Sequence, residues 1–387
     1  MAVGVKLARL ILLLLLFLTL AGCWDETSPF SLQLPSLAQP TYPASMQSLS
    51  SVLPASVGMA FGLDQIQSNS YAKRILLREV DRFTSTDFFM SHLIRQDGSI
   101  DFTNTDQVVE LALSHGKSLH AHALLYGLPA VSPDYLLNFS GGNKAFEAYI
   151  QNYIHRVVSR YRGKVVGYDV FNELFEYNSG ALAETWLRKR YPDNDSFIDF
   201  VGKCFTWAHE ADPEAVLFYN DYGQEFTSRN YEKLRAQLNL IQALRRKGIP
   251  ISGFGIQAHT TIYRSISDFE FALSEAAKTG LSIHLSELDV SVNYRDFAEA
   301  EGGELGLTQL TEELARRQAK QYRDILQAYY RIVPKDQQYG VTFWDISDGD
   351  TWLLKERLEW PCLFDAEYQP KPAYFSILGA FSTGFSQ

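Results

Sequence analysis

The sequence predicts an α/β fold, a closed (β/α)8 TIM barrel built as a single domain, on three observations. From Val57 onward, eight short apolar runs alternate with amphipathic stretches, the pattern of parallel strands joined by right-handed helical crossovers. Polar, chemically useful residues gather at the C-terminal ends of six of those runs, where such a barrel carries its site. The chain has 387 residues, 46% of them hydrophobic and 13% aromatic, enough for one barrel-sized core. A doubly wound open sheet is the second architecture that this alternation allows.

The predicted strands, in order, are Val57 to Gly62, Arg82 to Thr86, Lys117 to Leu124, Val166 to Phe171, Ala215 to Tyr219, Gly253 to Gln257, Ser282 to Glu287 and Gly340 to Trp344. Helical periodicity lies between them, over Phe146 to Arg160, Asn230 to Arg246, Ile266 to Ala277 and Glu312 to Tyr330. The third run ends near His120, His122 and Tyr126, the fourth in Asn172-Glu173, and the fifth in Asn220-Asp221-Tyr222. The sixth ends in Gln257 and His259, the seventh in Glu287 and Asp289, and the eighth in Trp344, Asp348 and Trp352. Their N-terminal ends are mostly Gly, Lys and Pro turns.

The N-terminus stands outside this pattern. Lys6 and Arg9 precede an apolar run from Leu10 to Leu20, and small residues follow, the layout of a signal for export. The run is short for a membrane span of about 20 residues. Leu20-Ala21-Gly22-Cys23 resembles the lipidation motif of bacterial lipoproteins, with Cys23 as the modified residue; a plain signal peptide or an uncleaved anchor is the alternative. The expected organisation is a signal peptide over residues 1–22, a Ser-, Pro-, Gln- and Thr-rich tether over 23–51, and the barrel over 52–387. The expected location is therefore outside the cytoplasm, on the bacterial outer membrane or cell surface, held by lipid. Only Cys204 and Cys362 then remain, one in a predicted helix and one in a late loop, and both are expected as free buried thiols.

With 35 basic and 45 acidic residues the net charge is -10, and no basic block appears, which argues against a nucleic-acid partner. His209-Glu210 lacks the second histidine of a zinc protease helix, because Pro213 occupies its place. Asp348-Gly349-Asp350 has its glycine misplaced for a calcium loop. No glycine-rich loop precedes a helix to hold a phosphate. A monomer needing neither metal nor other cofactor is expected.

Two glutamates across a barrel mouth suit glycosidic bond cleavage, one protonating the departing oxygen and the other attacking the sugar. Glu173 is the expected acid/base, because Phe171, Leu174 and Phe175 around it exclude water and favour its protonated form. Glu287 is the expected nucleophile, oriented by His259 and Asp289, which shares its face of the strand by the period of two. Asn172 is placed to reach a sugar hydroxyl, and Trp344 and Trp352 offer flat faces for sugar rings.

These residues resemble glycoside hydrolase family 10, the retaining (β/α)8 endo-β-1,4-xylanases. Gly167-Tyr168-Asp169-Val170-Phe171-Asn172-Glu173 is similar to the family's acid/base motif, and Leu285-Ser286-Glu287-Leu288-Asp289 to its nucleophile motif. Phe218 to Tyr222, Gly255 to His259, Val341 to Trp344 and Leu363 to Tyr374 match further segments in order. The resemblance runs from Val57 nearly to the C-terminus. It implies a β-linked polysaccharide or oligosaccharide as substrate. It also implies that Asp289 holds the His259 that bonds the nucleophile, and that His122, Asn172 and Gln257 line the subsite of cleavage. Tyr126, Asn220, Tyr222, Trp344, Trp352 and Asp87 complete the expected substrate-binding set. Three departures stand out. Thr86, Asp87 and Met90 replace a Glu-Asn pair and a Lys that bind the next sugar on the glycone side. Tyr126 stands where a Trp is usual, and Leu353 where a basic residue is common. A related hydrolase of another or decorated β-glycoside, and a catalytically silent surface glycan-binding lipoprotein, are the alternatives.

Overall fold

The computed structural model describes residues 46–382 apart from 178, 226–230 and 294–305. The leader, Cys23 and most of the expected tether lie outside the described residues. Eight parallel strands, β1 (Val57–Phe61), β2 (Arg82–Ser85), β3 (Ser118–Ala121), β4 (Gly167–Asn172), β5 (Val216–Asp221), β6 (Gly253–Ile256), β7 (Ser282–Ser291) and β8 (Gln338–Phe343), pair in sequence order. β8 pairs with both β7 and β1, so the sheet closes. The open-sheet alternative is thereby set aside.

Each strand is followed by an outer helix: α1 (Ser70–Glu79), α2 (Thr103–Ser114), α3 (Asn143–Arg160), α4 (Asn194–Ala211), α5 (Glu232–Arg246), α6 (Ile266–Ala277), α7 (Glu312–Ile332) and α8 (Pro372–Phe381). The polar sides of these helices face water, and their apolar stripes join one continuous core with the strands. In α3, for example, Phe146, Ile150, Tyr153, Ile154, Val157 and Val158 are buried at helical spacing.

Met46 to Ser51, expected in the tether, belong to the folded body. Leu49 is 0% exposed and its N–H donates to Glu79 Oε2 over 3.0 Å. Apolar residues are sparse in this segment, so its docking left little trace in the sequence pattern. The strand β7 runs four residues further than its apolar run, and β3 stops at Ala121 rather than Leu124. Cys204 in α4 and Cys362 in a late loop are both buried and free.

The barrel interior is more polar than the usual branched aliphatic filling. Thr84 and Thr342 hydroxyls meet at 3.1 Å, His284 Nε2 lies 2.9 Å from Thr342 Oγ1, and the Arg82 guanidinium stacks 3.8 Å over the Tyr339 ring. Burial, together with the neighbouring His120 and Arg82, drives the His284 imidazole well below its ordinary pKa. Small residues face large ones across this space: a Cβ on Gly253 would sit 2.3 Å from the Phe218 ring.

Candidate active site

β4 ends at Asn172, and Glu173 turns out of the strand through a left-handed backbone, φ 53°. Ala258 and Asp345, two residues past β6 and β8, are left-handed as well, with φ of 62° and 63°. Such conformations are costly for residues with a Cβ and collect where the fold must aim a side chain. The main chain continues to pair beyond the strands. Glu173 N–H donates to Asn220 O (2.9 Å), Gln257 N–H to Asp221 O (3.0 Å) and Glu287 N–H to Gln257 O (2.9 Å). Backbone hydrogen bonds thus connect the C-terminal ends of β4, β5, β6 and β7.

Side-chain amides link the two glutamates across that ladder. Gln257 Nε2 donates to Glu173 Oε1 (3.0 Å) and to Asn172 Oδ1 (3.2 Å). Asn220 Nδ2 donates to the same Asn172 oxygen (2.9 Å) and to Glu287 Oε1 (2.6 Å). On its other side Glu173 accepts the Tyr126 hydroxyl at 2.5 Å. Tyr126 reaches it because a short strand segment, Leu125–Tyr126, pairs with the end of β4 and sets Tyr126 opposite Asn172. Burial raises the Glu173 carboxyl above its ordinary range, and Asp221 and Glu287 add to the effect against the bonds from Tyr126 and Gln257. Such a shift favours the protonated form that an acid catalyst needs.

Glu287 and Asp289 do share one face of β7, as the period of two predicts, and His259 spans them. Its Nε2 lies 3.1 Å from Glu287 Oε2 and its Nδ1 2.8 Å from Asp289 Oδ2. Here too a short strand, His259–Thr261, pairs with β7 and places His259 opposite Asp289. Burial opposes the imidazolium, but Asp289 and Glu287 outweigh it, so the pKa lies well above the ordinary imidazole value. Both ring nitrogens then donate. Trp352 Nε1 donates to the same Asp289 oxygen at 3.0 Å.

His122 completes the floor. Its Nδ1 is 2.8 Å from Asp169 Oδ2 and 3.9 Å from Glu287 Oε1. The Trp344 ring stands edge-on between His122 and His259, with centroids at 5.2 and 5.9 Å. The Tyr222 ring lies 3.1 Å from the Lys233 ammonium and 5.9 Å from Tyr177.

Two expected substrate-binding residues are occupied elsewhere. Asn220 is 0% exposed; besides its two donated bonds it accepts the Ser286 hydroxyl at 2.6 Å. Its amide hydrogens go to Asn172 and Glu287 and its oxygen takes the Ser286 hydroxyl. Asp87 is 4% exposed, and its Oδ2 accepts Leu63 N–H and the Ser85 hydroxyl, each at 2.8 Å. It fastens the loop after β1 to the end of β2. Met90 is buried in the core, and Thr86 turns its hydroxyl toward Phe61 O at 3.4 Å. The half-buried side chain that meets the site from this segment is Phe89, packed 5.2 Å from His122 and 6.4 Å from Tyr126. A separate surface cavity of about 630 Å³ is lined by Ser91, Ile94, Arg95, Asp97, Ser132 and Asp134.

Sequence reasoning missed Phe89, Asp169 and the ion pair beneath Glu173. Asp169 Oδ2 lies 3.0 Å from His120 Nε2 and 2.8 Å from His122 Nδ1, and the two imidazoles hold its carboxyl well below the usual range despite burial. Asp221 binds Lys233 at 3.0 Å and takes the N–H groups of Tyr222 and Leu174 at 2.8 and 3.2 Å. Asp169 lies three residues before Asn172, inside an apolar strand, and an acid in that setting was the available signal. Asp348 pairs with buried Lys371 at 2.9 Å, which accounts for it without calcium. Among the described residues no group of His, Cys, Asp and Glu is arranged to hold a metal.

A sequence profile of Glycosyl hydrolase family 10 matches residues 46–380. An endo-β-1,4-xylanase of Cellvibrio japonicus, Xyn10C, is 29% identical over 357 residues, 87% of this chain and 58% of that protein's length. An endo-1,4-β-xylanase of Geobacillus stearothermophilus is 34% identical over 318 residues, 79% of this chain and 90% of the other. Among solved structures, a mutant of the Cellvibrio japonicus xylanase10C in complex with xylopentaose superposes with a TM-score of 0.80 at 28% identity. That match covers 88% of this chain and 70% of the other.

Proposed function

The chain belongs to glycosyl hydrolase family 10, and from that premise we propose that it is a retaining endo-β-1,4-xylanase acting on xylan or xylo-oligosaccharides. The observation that carries the proposal is the amide bridge from Glu173 through Gln257, Asn172 and Asn220 to Glu287. It holds a glutamate with raised pKa and a histidine-backed glutamate in one cleft. In the first step Glu287 attacks the anomeric carbon while Glu173 passes its proton to the departing glycosidic oxygen, leaving a glycosyl ester on Glu287. In the second, Glu173 takes a proton from the water that opens that ester, so the anomeric configuration is retained. His259, fixed by Asp289, keeps one Glu287 oxygen in place, and Trp344 and Trp352 flank the site with aromatic faces.

The test is reducing-sugar release from a panel of linear xylan, arabinoxylan, mixed-linkage glucan and mannan, with NMR of the first product anomer. Release from xylan with initial β-anomer is expected, abolished in Glu173→Ala and Glu287→Ala. Release that survives both substitutions, or binding without release on every glycan, refutes the assignment.

A finer reading concerns the glycan itself. Thr86 and Asp87 spend their polar groups on Phe61, Leu63 and Ser85 and Met90 has none to offer a sugar, each missing bond being worth about 0.5–1.5 kcal/mol. Phe89, an apolar ring against His122 and Tyr126, supports a substrate that is branched or otherwise modified on the glycone side. Higher kcat/KM on arabinose-branched than on plain xylo-oligosaccharides is expected, and equal values on both count against this reading. For location we propose export and lipid attachment at Cys23, supported by Lys6, Arg9 and the apolar run before Leu20-Ala21-Gly22-Cys23. Palmitate labelling that persists in Cys23→Ala would overturn it.

A further inference from the structure

The nucleophile's support does not stop at Asp289. Asp289 Oδ2 accepts the Trp352 indole N–H, and the Trp352 main-chain N–H is in turn taken by Asp345 Oδ2 at 2.8 Å. Trp352 opens a one-turn helix, Trp352–Lys355, whose N-cap Thr351 accepts from Leu353 at 3.5 Å. A carboxylate on the first N–H of that turn is a favourable charge placement. Asp345 reaches it only because its own backbone is left-handed, φ 63°, a conformation that glycine adopts more easily. The chain therefore tolerates strain at this position to present a carboxylate where glycine would present nothing. The loop between them is tied separately: Asp350 accepts from Ser347 Oγ (3.1 Å) and from the Tyr368 hydroxyl (2.6 Å).

We propose that Asp345 is a positioning residue that clamps Trp352 against the cleft that holds the substrate. The inference rests on the hydrolase reading above. Asp345 touches neither glutamate, so its effect passes through Trp352. Asp289 on β7, Asp350 on the loop and His259 after β6 face it electrostatically. Burial pushes the Asp345 carboxyl up to about 7, the Trp352 N–H opposes this, and Asp289 and Asp350 reinforce it against His259. The ionised form accepts a charge-assisted bond and grips Trp352 more strongly than the protonated form. The clamp accordingly tightens as pH rises through neutrality.

Asp345→Gly and Asp345→Asn test this with a xylo-oligosaccharide series. Glycine suits the left-handed backbone but removes the acceptor. We expect Asp345→Gly to keep its melting temperature while KM rises about tenfold, the loss of one charge-assisted hydrogen bond, with kcat little changed. Asparagine keeps an oxygen acceptor without the charge. Asp345→Asn should restore most of the lost affinity yet abolish the fall in KM that wild type shows between about pH 6 and 8. Wild-type KM in the glycine variant, or a wild-type KM profile in the asparagine variant, overturns the proposal. If the glycine variant does not fold, the asparagine profile decides alone. Absence of hydrolysis in wild type would instead refute the xylanase assignment, whereas normal wild-type turnover with unaffected variants refutes only the clamp.

Discussion

Gly255 lies in β6 directly beneath Asn220, and replacing it with alanine tests the amide bridge at its tightest point. The added methyl group would stand 2.1 Å from Asn220 Oδ1, 2.9 Å from its Cγ and 3.1 Å from its Cβ. Comfortable carbon contacts begin near about 3.5 Å, so the Asn220 side chain must retreat by about 1 Å. It has no free direction, being 0% exposed and held by Glu287, Asn172 and Ser286. Overpacking of this kind costs about 1–3 kcal/mol of stability. Loss of the bond to the Glu287 carboxylate costs the reaction about 1.5–3 kcal/mol, or roughly ten- to a hundredfold in turnover. We therefore expect Gly255→Ala to fold, to melt a few degrees lower, and to lose kcat by that factor with KM nearly unchanged. Gly379→Ala, on the outer helix α8 with nothing within 4 Å of its would-be Cβ, serves as control and should leave kcat unchanged. Steady-state kinetics on xylohexaose and a thermal melt decide the matter. Wild-type kcat in folded Gly255→Ala would refute the claim that Asn220 positions the nucleophile.

Three further outcomes follow from the site. The His259 pKa is raised above 6.5 in the folded state, so its charge contributes stability that is complete below that value and lost as pH rises through the folded pKa. His259→Gln should then lower the melting temperature at acidic pH and much less at strongly alkaline pH; a pH-independent loss contradicts the pairing. Glu173 is likewise raised, from 4.5, so its cost to the fold sets in as pH rises past that value and is complete above its folded pKa. Glu173→Gln should melt higher than wild type near neutral pH but not at about pH 4, while hydrolysis of xylo-oligosaccharides falls by about 10²–10⁴-fold. Asp87→Asn should lower stability by about 1–3 kcal/mol through the Leu63 and Ser85 contacts, without changing KM; a raised KM would return Asp87 to the substrate.

The barrel and both glutamates were legible in the sequence because they follow from short-range regularities. Apolar runs at barrel spacing mark the strands, and a carboxylate just past such a run stands at the mouth whatever the helices do. What the sequence leaves open is where a polar side chain spends its hydrogen bonds. Asn220 and Asp87 both stand at strand ends and resemble substrate ligands, yet one serves Glu287 and the other serves Leu63. Those partners are 67 and 24 residues away, and no local pattern encodes the choice. Backbone handedness is equally hidden. Glu173 and Asp345 leave their strands through left-handed turns that alternation would assign to extended chain, and those turns aim their carboxyls. Tyr126 and His259 owe their places to two- and three-residue strands too short to register as periodic.

The hydrogen bonds that run from Glu173 to Asn220, from Gln257 to Asp221 and from Glu287 to Gln257 have an architectural consequence. On the proposed reading, the gap between Glu173 and Glu287 is a dimension of the sheet, set by strand spacing and stagger, and the surrounding loops hang from it without defining it. The rim, including the segment from Thr86 to Met90, can therefore vary while that distance stays fixed. Loop grafts between such barrels should exchange preference among glycans and leave the stereochemistry of cleavage untouched.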